Sequence, residues 1–302
     1  MSHTVPSSTT RTSHTPVLLN EVITFLNPLP GEIFLDGTFG GGGHSKAIYE
    51  KLGTTGKLLC LDMNPSAVNL CSHLFSTKNV ACIESNFKEI EDVLRRFHLK
   101  GLDGLLLDLG LSSDELENSG RGFSFQKDEP LLMTMSDKLT PLKELLSYLN
   151  EEEIANVIFY YGEERYSRRI AKNIFEAIKR GEMNTTHDLT QAVLKALPAN
   201  AKSGRIHGAT KTFMAFRIFA NHELENLKLV LDSLPRIMKP GGRVAIISFH
   251  SLEDRLVKNG FRDLAHQGKV NLLTKKAVMG GREEINSNPR ARSAKLRAIK
   301  FI

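Results

Sequence analysis

Short apolar runs that end in a carboxylate alternate along the chain with stretches in which apolar residues recur every three or four positions. Residues 33–36, 58–62, 80–83 and 105–108 read as strands, and the first, second and fourth end in Asp36, Asp62 and Asp108. A fifth strand is expected over 243–249. It follows a helical stretch whose Leu224, Leu227, Leu231 and Leu234 share one face, across the turn Lys239-Pro240-Gly241-Gly242. Weaker runs at 270–273 and 293–299 supply two further strands. Strand and helix in this alternation predict an α/β fold around a mostly parallel sheet.

The alternation stops between residues 114 and 208, where the pattern is helical throughout. Thr140 and Pro141 read as an N-cap followed by proline in the first helical position, and Asn150 with Glu153 reads as a capping box. Further helices are expected at about 164–180, closed by Gly181, and at about 187–197. The chain thus reads as one open α/β domain, 14–113 plus 209–302, interrupted by an all-helical insertion at 114–208 that serves substrate recognition. Residues 1–13 are polar, rich in Ser and Thr, and read as a mobile arm without an export signal. A cytoplasmic location is expected. The longest apolar run, 157–161, falls far short of the ~20 residues a membrane-spanning helix needs, so no membrane partner is expected. Cys60, Cys71 and Cys82 lack metal-ligand spacing and are expected to be reduced structural thiols; no metal is called for.

Charge changes the picture through its position. Basic and acidic residues number 9 and 11 over 1–113, 13 and 15 over 114–208, but 18 and 8 over 209–302, so the whole excess is C-terminal. Such a concentration suits a polyanion, although a solvated basic face explains it equally well. The tail NPRARSAKLRAIK packs Arg290, Arg292, Lys295, Arg297 and Lys300 into a dozen positions, and RNA contact is favoured there. In YGEERYSRRIAK, Arg165, Arg168, Arg169 and Lys172 form a helical stripe, for which phosphate contact and pairing with Glu163 and Glu164 are both open. Phe123 and Phe125, or Phe213 and Phe216, are candidates for stacking an RNA base and equally for simple core.

Four consecutive glycines, Gly40 to Gly43, lie between the first strand and its helix in FLDGTFGGGGHS. A loop without side chains lets backbone approach a ligand closely. Asp62, at the end of the second strand, is placed to accept ribose hydroxyls, as in both NAD and S-adenosylmethionine enzymes. The DxxxGxG spacing of Asp36, Gly40 and Gly42 and the Lys-Pro-Gly-Gly turn suit a methyltransferase rather than a dehydrogenase, and no GxxxxGK[ST] phosphate loop is present. Asp108 in DLGLSS sits at the carboxyl edge of the sheet, where doubly wound folds build their sites. It could accept a proton from an exocyclic amine or bind the cofactor; capping the next turn is the bland alternative. In SFHSLED, His250 is a second candidate base, and Asp254 is expected to face the same cleft. Ser251, Glu253 and Asp254 also read as a helix-capping cluster.

With these segments in place, the chain resembles the MraW-type 16S ribosomal RNA cytosine N4-methyltransferases of bacteria. The resemblance rests on HTPVLLNEV, DGTFGGGGHS, LDMNP, DGLLLDLGLSS, RGFSF, YGEERYSRRIA, TFMAFRIFANHEL, PGGRVAIISFHSLEDRLVK and NPRARSAKLR, in this order. It implies a class I methyltransferase fold, a Rossmann-like seven-stranded sheet carrying the helical insertion, and S-adenosyl-L-methionine as cofactor. Carried over by position, it implies cofactor contacts from Gly42, Gly43, His44, Asp62, Phe87, Asp108 and Glu115, the last standing where the family usually has Gln. It implies 16S rRNA in the small ribosomal subunit as partner and a decoding-region cytosine as target, while the charge pattern makes Arg165, Arg168, Arg169, Arg290, Arg292 and Arg297 the expected RNA contacts. A homodimer is compatible with the sequence. The segment DEPLLMTMS departs from the family's DGPLDMRMD at Leu132, Thr134 and Ser136, and Gly208 and Met214 replace a Pro and a Gln. That departure keeps open a ribosome-assembly factor that binds cofactor and RNA, and spacing alone leaves open a methyltransferase for another nucleic-acid cytosine.

Overall fold

The computed structural model describes residues 16–112, 115–116, 119–199 and 207–302. The N-terminal arm expected at 1–13 and the second serine of DLGLSS lie outside the described residues. The strands are β1 (Ile33–Asp36), β2 (Lys57–Asp62), β3 (Val80–Glu84), β4 (Leu102–Asp108), β5 (Met238–Ser248), β6 (Val270–Leu272) and β7 (Lys295–Phe301). They form one sheet in the order β3-β2-β1-β4-β5-β7-β6, parallel except that β7 runs against β5 and β6. The seven-stranded class I methyltransferase sheet is therefore present.

Side chains alternate faces along each strand, and the two faces bury separate cores. Leu59, Leu61, Leu105, Leu107, Val244 and Ile246 point to one side, where α4 (Ile90–Arg96), α10 (Glu223–Ile237) and α11 (Ser251–His266) cover them. Leu58, Cys60, Leu106, Ala245 and Ile247 point to the other, under α1 (Leu19–Leu26), α2 (Gly43–Leu52) and α3 (Pro65–Leu74). Gly104 is the one place on β4 where a side chain has no room: a Cβ there would stand 2.0 Å from the Phe34 ring on β1.

Between β4 and α10 the described chain is helical: α5 (Leu142–Tyr148), α6 (Glu151–Gly162), α7 (Ser167–Lys179), α8 (Thr186–Ala196) and α9 (Thr210–Asn221). These share a third core, which includes Ile154, Ile158, Ile170, Ile174, Leu189 and Val193. Phe213 and Phe216 of α9 belong to it too, so the helical body runs past residue 208. Phe123, Phe213 and Phe216 are buried core, and Phe125 stacks on His207 at 4.3 Å.

Local expectations shift in instructive ways. The Asn150–Glu153 capping box is present. Pro141, not Thr140, caps α5, its ψ of 145° still extended, and helix begins at Leu142. Arg165 lies ahead of α7, which starts at Ser167, so the basic stripe joins a loop residue to a helix face. The Lys239-Pro240-Gly241-Gly242 turn is a bulge inside a longer β5: Leu102 pairs with Met238 and Gly104 with Arg243, so five β5 steps match two on β4. The expectation of three reduced thiols is corrected. Cys71 on α3 and Cys82 on β3 form a disulfide with Cα atoms 5.8 Å apart, because α3 packs back across the strand that follows it; Cys60 alone is free, and buried.

Candidate active site

One cavity opens at the carboxyl ends of β1, β2 and β4, and Gly42, Gly43, His44, Asp62, Phe87, Asp108 and Glu115 all line it. The strand order reverses beside β1, which separates the loops after β1 and β4 and leaves a crevice between them. The glycine loop is held by carboxylates. Buried Asp36 accepts the Thr38 N–H at 3.1 Å and the Ser45 hydroxyl at 2.7 Å, bracing the start of α2. Gly42 takes φ +77° as the residue before α2, a conformation glycine adopts without strain. Thr38 in turn accepts the Asp108 N–H at 2.6 Å, which ties the β1 loop to the end of β4.

The carboxylates differ by surroundings. Burial, with Glu115 nearby, pushes Asp62 up to about 6 despite N–H bonds from Asn64 and Gly40. Burial also raises Asp108, against the opposing pull of His44 and Arg290. Asp108 Oδ1 is buried and has no hydrogen-bond partner among the described residues. Glu115 accepts the Ser112 N–H at 2.9 Å and the Asn64 amide at 3.1 Å. The lining carries Asp62, Asp108, Glu115, Glu223 and Glu253 against Arg290 and His44, a balance suited to a cationic ligand.

Several residues sit elsewhere than expected. His250 does not line the cavity. Its buried ring caps α11, with Nδ1 accepting the Glu253 N–H at 3.4 Å and Nε2 3.1 Å from Glu253 Oε1, while Glu253 reaches the cavity wall. Burial alone would raise Glu253, but His250, Arg217 and the Phe249 N–H bring it below the usual range. Glu223, His250 and Glu253 approach one another as metal ligands would, yet Arg217 occupies both Glu223 oxygens at 2.8 Å. Asp254 faces away from the cleft and pairs with Arg297 at 2.7 Å and Lys295 at 3.7 Å. This removes Arg297 from the exposed basic surface: β7 runs antiparallel to β5, and that register turns its side chain, only 12% accessible, toward α11.

Arg290 is likewise not an outward contact. It lies over the Phe249 ring at 5.2 Å, donates to the Leu111 carbonyl and lines the cavity next to Asp108. Arg165, Arg168, Arg169 and Arg292 are exposed. The acids thought able to neutralise the stripe are engaged elsewhere, Glu163 with Arg255 and Ser251 and Glu164 with Lys211. The stripe borders a second cleft with the exposed Phe159 and Tyr160. Sequence reasoning missed Pro16 and Val17, Met135, Asn221, Glu223 and Glu253 as cavity residues. Their signal lay in the HTPVLLNEV, DEPLLMTMS, FANHEL and SLED segments, none of which places its residues in space unaided. Asn221 fixes the departed segment against α9 by accepting the Met135 N–H and donating to the Met133 carbonyl.

Residues 11–302 match the model of the MraW methylase family. The chain belongs to this family. Ribosomal RNA small subunit methyltransferase H of Koribacter versatilis is 45% identical over 298 residues, which span 95% of this chain and 93% of that protein. The protein of the same name from Thermotoga neapolitana is 41% identical over 296 residues, 96% of each chain. The cofactor of this MraW methylase family chain is S-adenosylmethionine. Its cavity fits that group: an acidic lining meets a sulfonium, Asp62 retains lone pairs for hydroxyls, and Asp108 keeps an oxygen unused.

Proposed function

We propose that the protein transfers a methyl group from S-adenosylmethionine to the N4 amino group of a cytosine in the decoding region of 16S rRNA, acting on the small ribosomal subunit. The observation that carries the chemistry is the buried, unpartnered Oδ1 of Asp108 at the cavity wall. An exocyclic amine is a weak nucleophile because its lone pair is delocalised into the ring, so an acceptor for one N–H proton helps as the new C–N bond forms. Asp108 offers that acceptor, and its burial makes it more basic than an exposed aspartate. The cofactor, when bound, supplies an electrophilic methyl. Gly42, Gly43, His44, Asp62, Phe87 and Glu115 hold it, and Asp62 takes the ribose hydroxyls. His250 acts at one remove, orienting Glu253 in the wall.

The RNA side of the proposal rests on the exposed Arg165, Arg168, Arg169 and Arg292 and on the relatives, which are named as small-subunit rRNA methyltransferases. Basic side chains of this kind position a phosphate backbone without reading sequence. A target cytosine has to leave its stack to reach an oxygen buried at the sheet edge. The test is transfer of radiolabelled methyl from S-adenosylmethionine to small subunits lacking the modification, followed by digestion to nucleosides. Label in N4-methylcytidine is the expected result. Label in another nucleoside, or none despite measurable cofactor binding, overturns the reading.

A further inference from the structure

Resting on the reading of Asp108 as the group that meets N4, we propose that His44 and Asp108 form a pair that takes up the proton released from the target amine. His44 is then more than a cofactor contact. The first turn of α2 carries its ring, 6% accessible, into the cavity wall. Nε2 stands 2.9 Å from the carbonyl oxygen of Val17. A carbonyl only accepts, so Nε2 carries a ring proton, and in the neutral imidazole Nδ1 presents a lone pair. That Nδ1 faces Asp108 Oδ2 at 3.8 Å.

Two lone-pair atoms thus face each other in a buried space. The contact is unfavourable while both are empty and becomes favourable when one proton enters on either partner. The carboxylate's other oxygen, Oδ1, is buried and unpartnered. Asp108 therefore offers one oxygen to a substrate and the other to an imidazole. The groups whose charges bear on the pair are Asp36 on β1, Glu253 on α11 and Arg290 in the turn before β7.

The step balances. The C–N bond forms from the nitrogen lone pair, the C–S electron pair returns to sulfur, and the N–H electron pair stays on nitrogen as its proton moves to Asp108 Oδ1. Asp108 Oδ1 has no hydrogen-bond partner among the described residues, so a half-turn about the last side-chain bond takes none from that oxygen. That turn brings the new O–H to His44 Nδ1, which holds the proton until the site opens to water.

Two measurements test this. Histidine-selective 15N NMR of the full chain with S-adenosylhomocysteine reads the tautomer of His44 and the environment of its Nδ1. The expected result is a proton on Nε2 and an Nδ1 resonance that moves in Asp108→Asn, because the carboxylate beside it is gone. In His44→Asn, at saturating cofactor and subunits, kcat falls about tenfold and its acid limb moves to lower pH, because the empty pair binds its first proton more readily than Asp108 does alone. A proton on Nδ1 in place of Nε2, an Nδ1 resonance indifferent to Asp108→Asn, or an acid limb that stays in place overturns the pair. The NMR experiment needs no RNA, so its failure is distinct from a failure of the wild-type protein to form N4-methylcytidine, which overturns the substrate reading instead.

Discussion

Asp62 Oδ2 accepts the backbone N–H of Gly40 at 2.8 Å, so the carboxylate that ends β2 also fixes the glycine loop after β1. Its other oxygen accepts the Asn64 N–H at 2.8 Å, and together these bonds shape the side of the cavity proposed to hold the ribose. With Asp62 pushed up to about 6, the hydroxyl-accepting form is lost as pH falls through that value. Affinity for S-adenosylhomocysteine, measured by calorimetry, should therefore drop between pH 7.5 and 5.5. In Asp62→Ala it should fall at least about tenfold at pH 7.5 and lose this limb. For the ligand-free protein the sign is the opposite. A carboxyl raised from its unfolded value near 4 favours folding while protonated, so Asp62's contribution to stability disappears as pH rises from about 4 through 6.

Gly104→Ala should destabilise the protein by about 1–3 kcal/mol, because the added Cβ would overlap the Phe34 ring at the centre of the sheet. Chemical denaturation of this variant and of Phe34→Leu/Gly104→Ala checks it. Part of the loss should return in the double variant, where the branched side chain leaves the room the ring had filled.

The Cys71–Cys82 bridge closes a loop of 11 residues' separation. A loop of this size limits the unfolded chain by about 2–3 kcal/mol in the loop-entropy picture. Cys71→Ser should lower the melting temperature of the oxidised protein and leave that of the reduced protein nearly unchanged. Equal melting temperatures for the oxidised wild type and the variant would show that the bridge contributes nothing.

Arginines on the two surfaces should separate cleanly. Replacing Arg165, Arg168 and Arg169 with Ala should weaken binding to small subunits and reduce its salt dependence by up to about 3 units of log–log slope, with the melting temperature unchanged. Arg297→Ala should do the reverse, because it leaves half-buried Asp254 without its main partner. A cost of about 1–3 kcal/mol in stability is expected, with no change in slope.

Much of the fold was legible because the strand signal and the buried pattern coincide. Leu105, Leu106 and Leu107 form a continuous apolar run on a strand covered on both faces, and the same holds for Ala245, Ile246 and Ile247. That the glycine loop, Asp62, Phe87, Asp108 and Glu115 share one cavity was legible because they follow strand ends in a fixed order along the chain. What local pattern could not show was register and approach. Arg297 turns to Asp254 only because β7 runs antiparallel to β5, and Arg290 enters the cavity because the turn before β7 packs it on Phe249. Neither fact is encoded within a dozen residues of the arginine. The Cys71–Cys82 bridge was missed for the same reason, since spacing alone does not say that α3 folds back over β3.

The central claim is that Asp108 accepts the proton of the reacting amine in a cavity that binds S-adenosylmethionine. Its most direct test is single-turnover methyl transfer to unmodified small subunits by Asp108→Asn under saturating cofactor, with S-adenosylhomocysteine affinity measured on the same preparation. The expected result is a rate lowered by a factor of about 100 or more with cofactor still bound, because an amide of the same shape cannot take the proton. A near wild-type rate of N4-methylcytidine formation in that variant would contradict the claim.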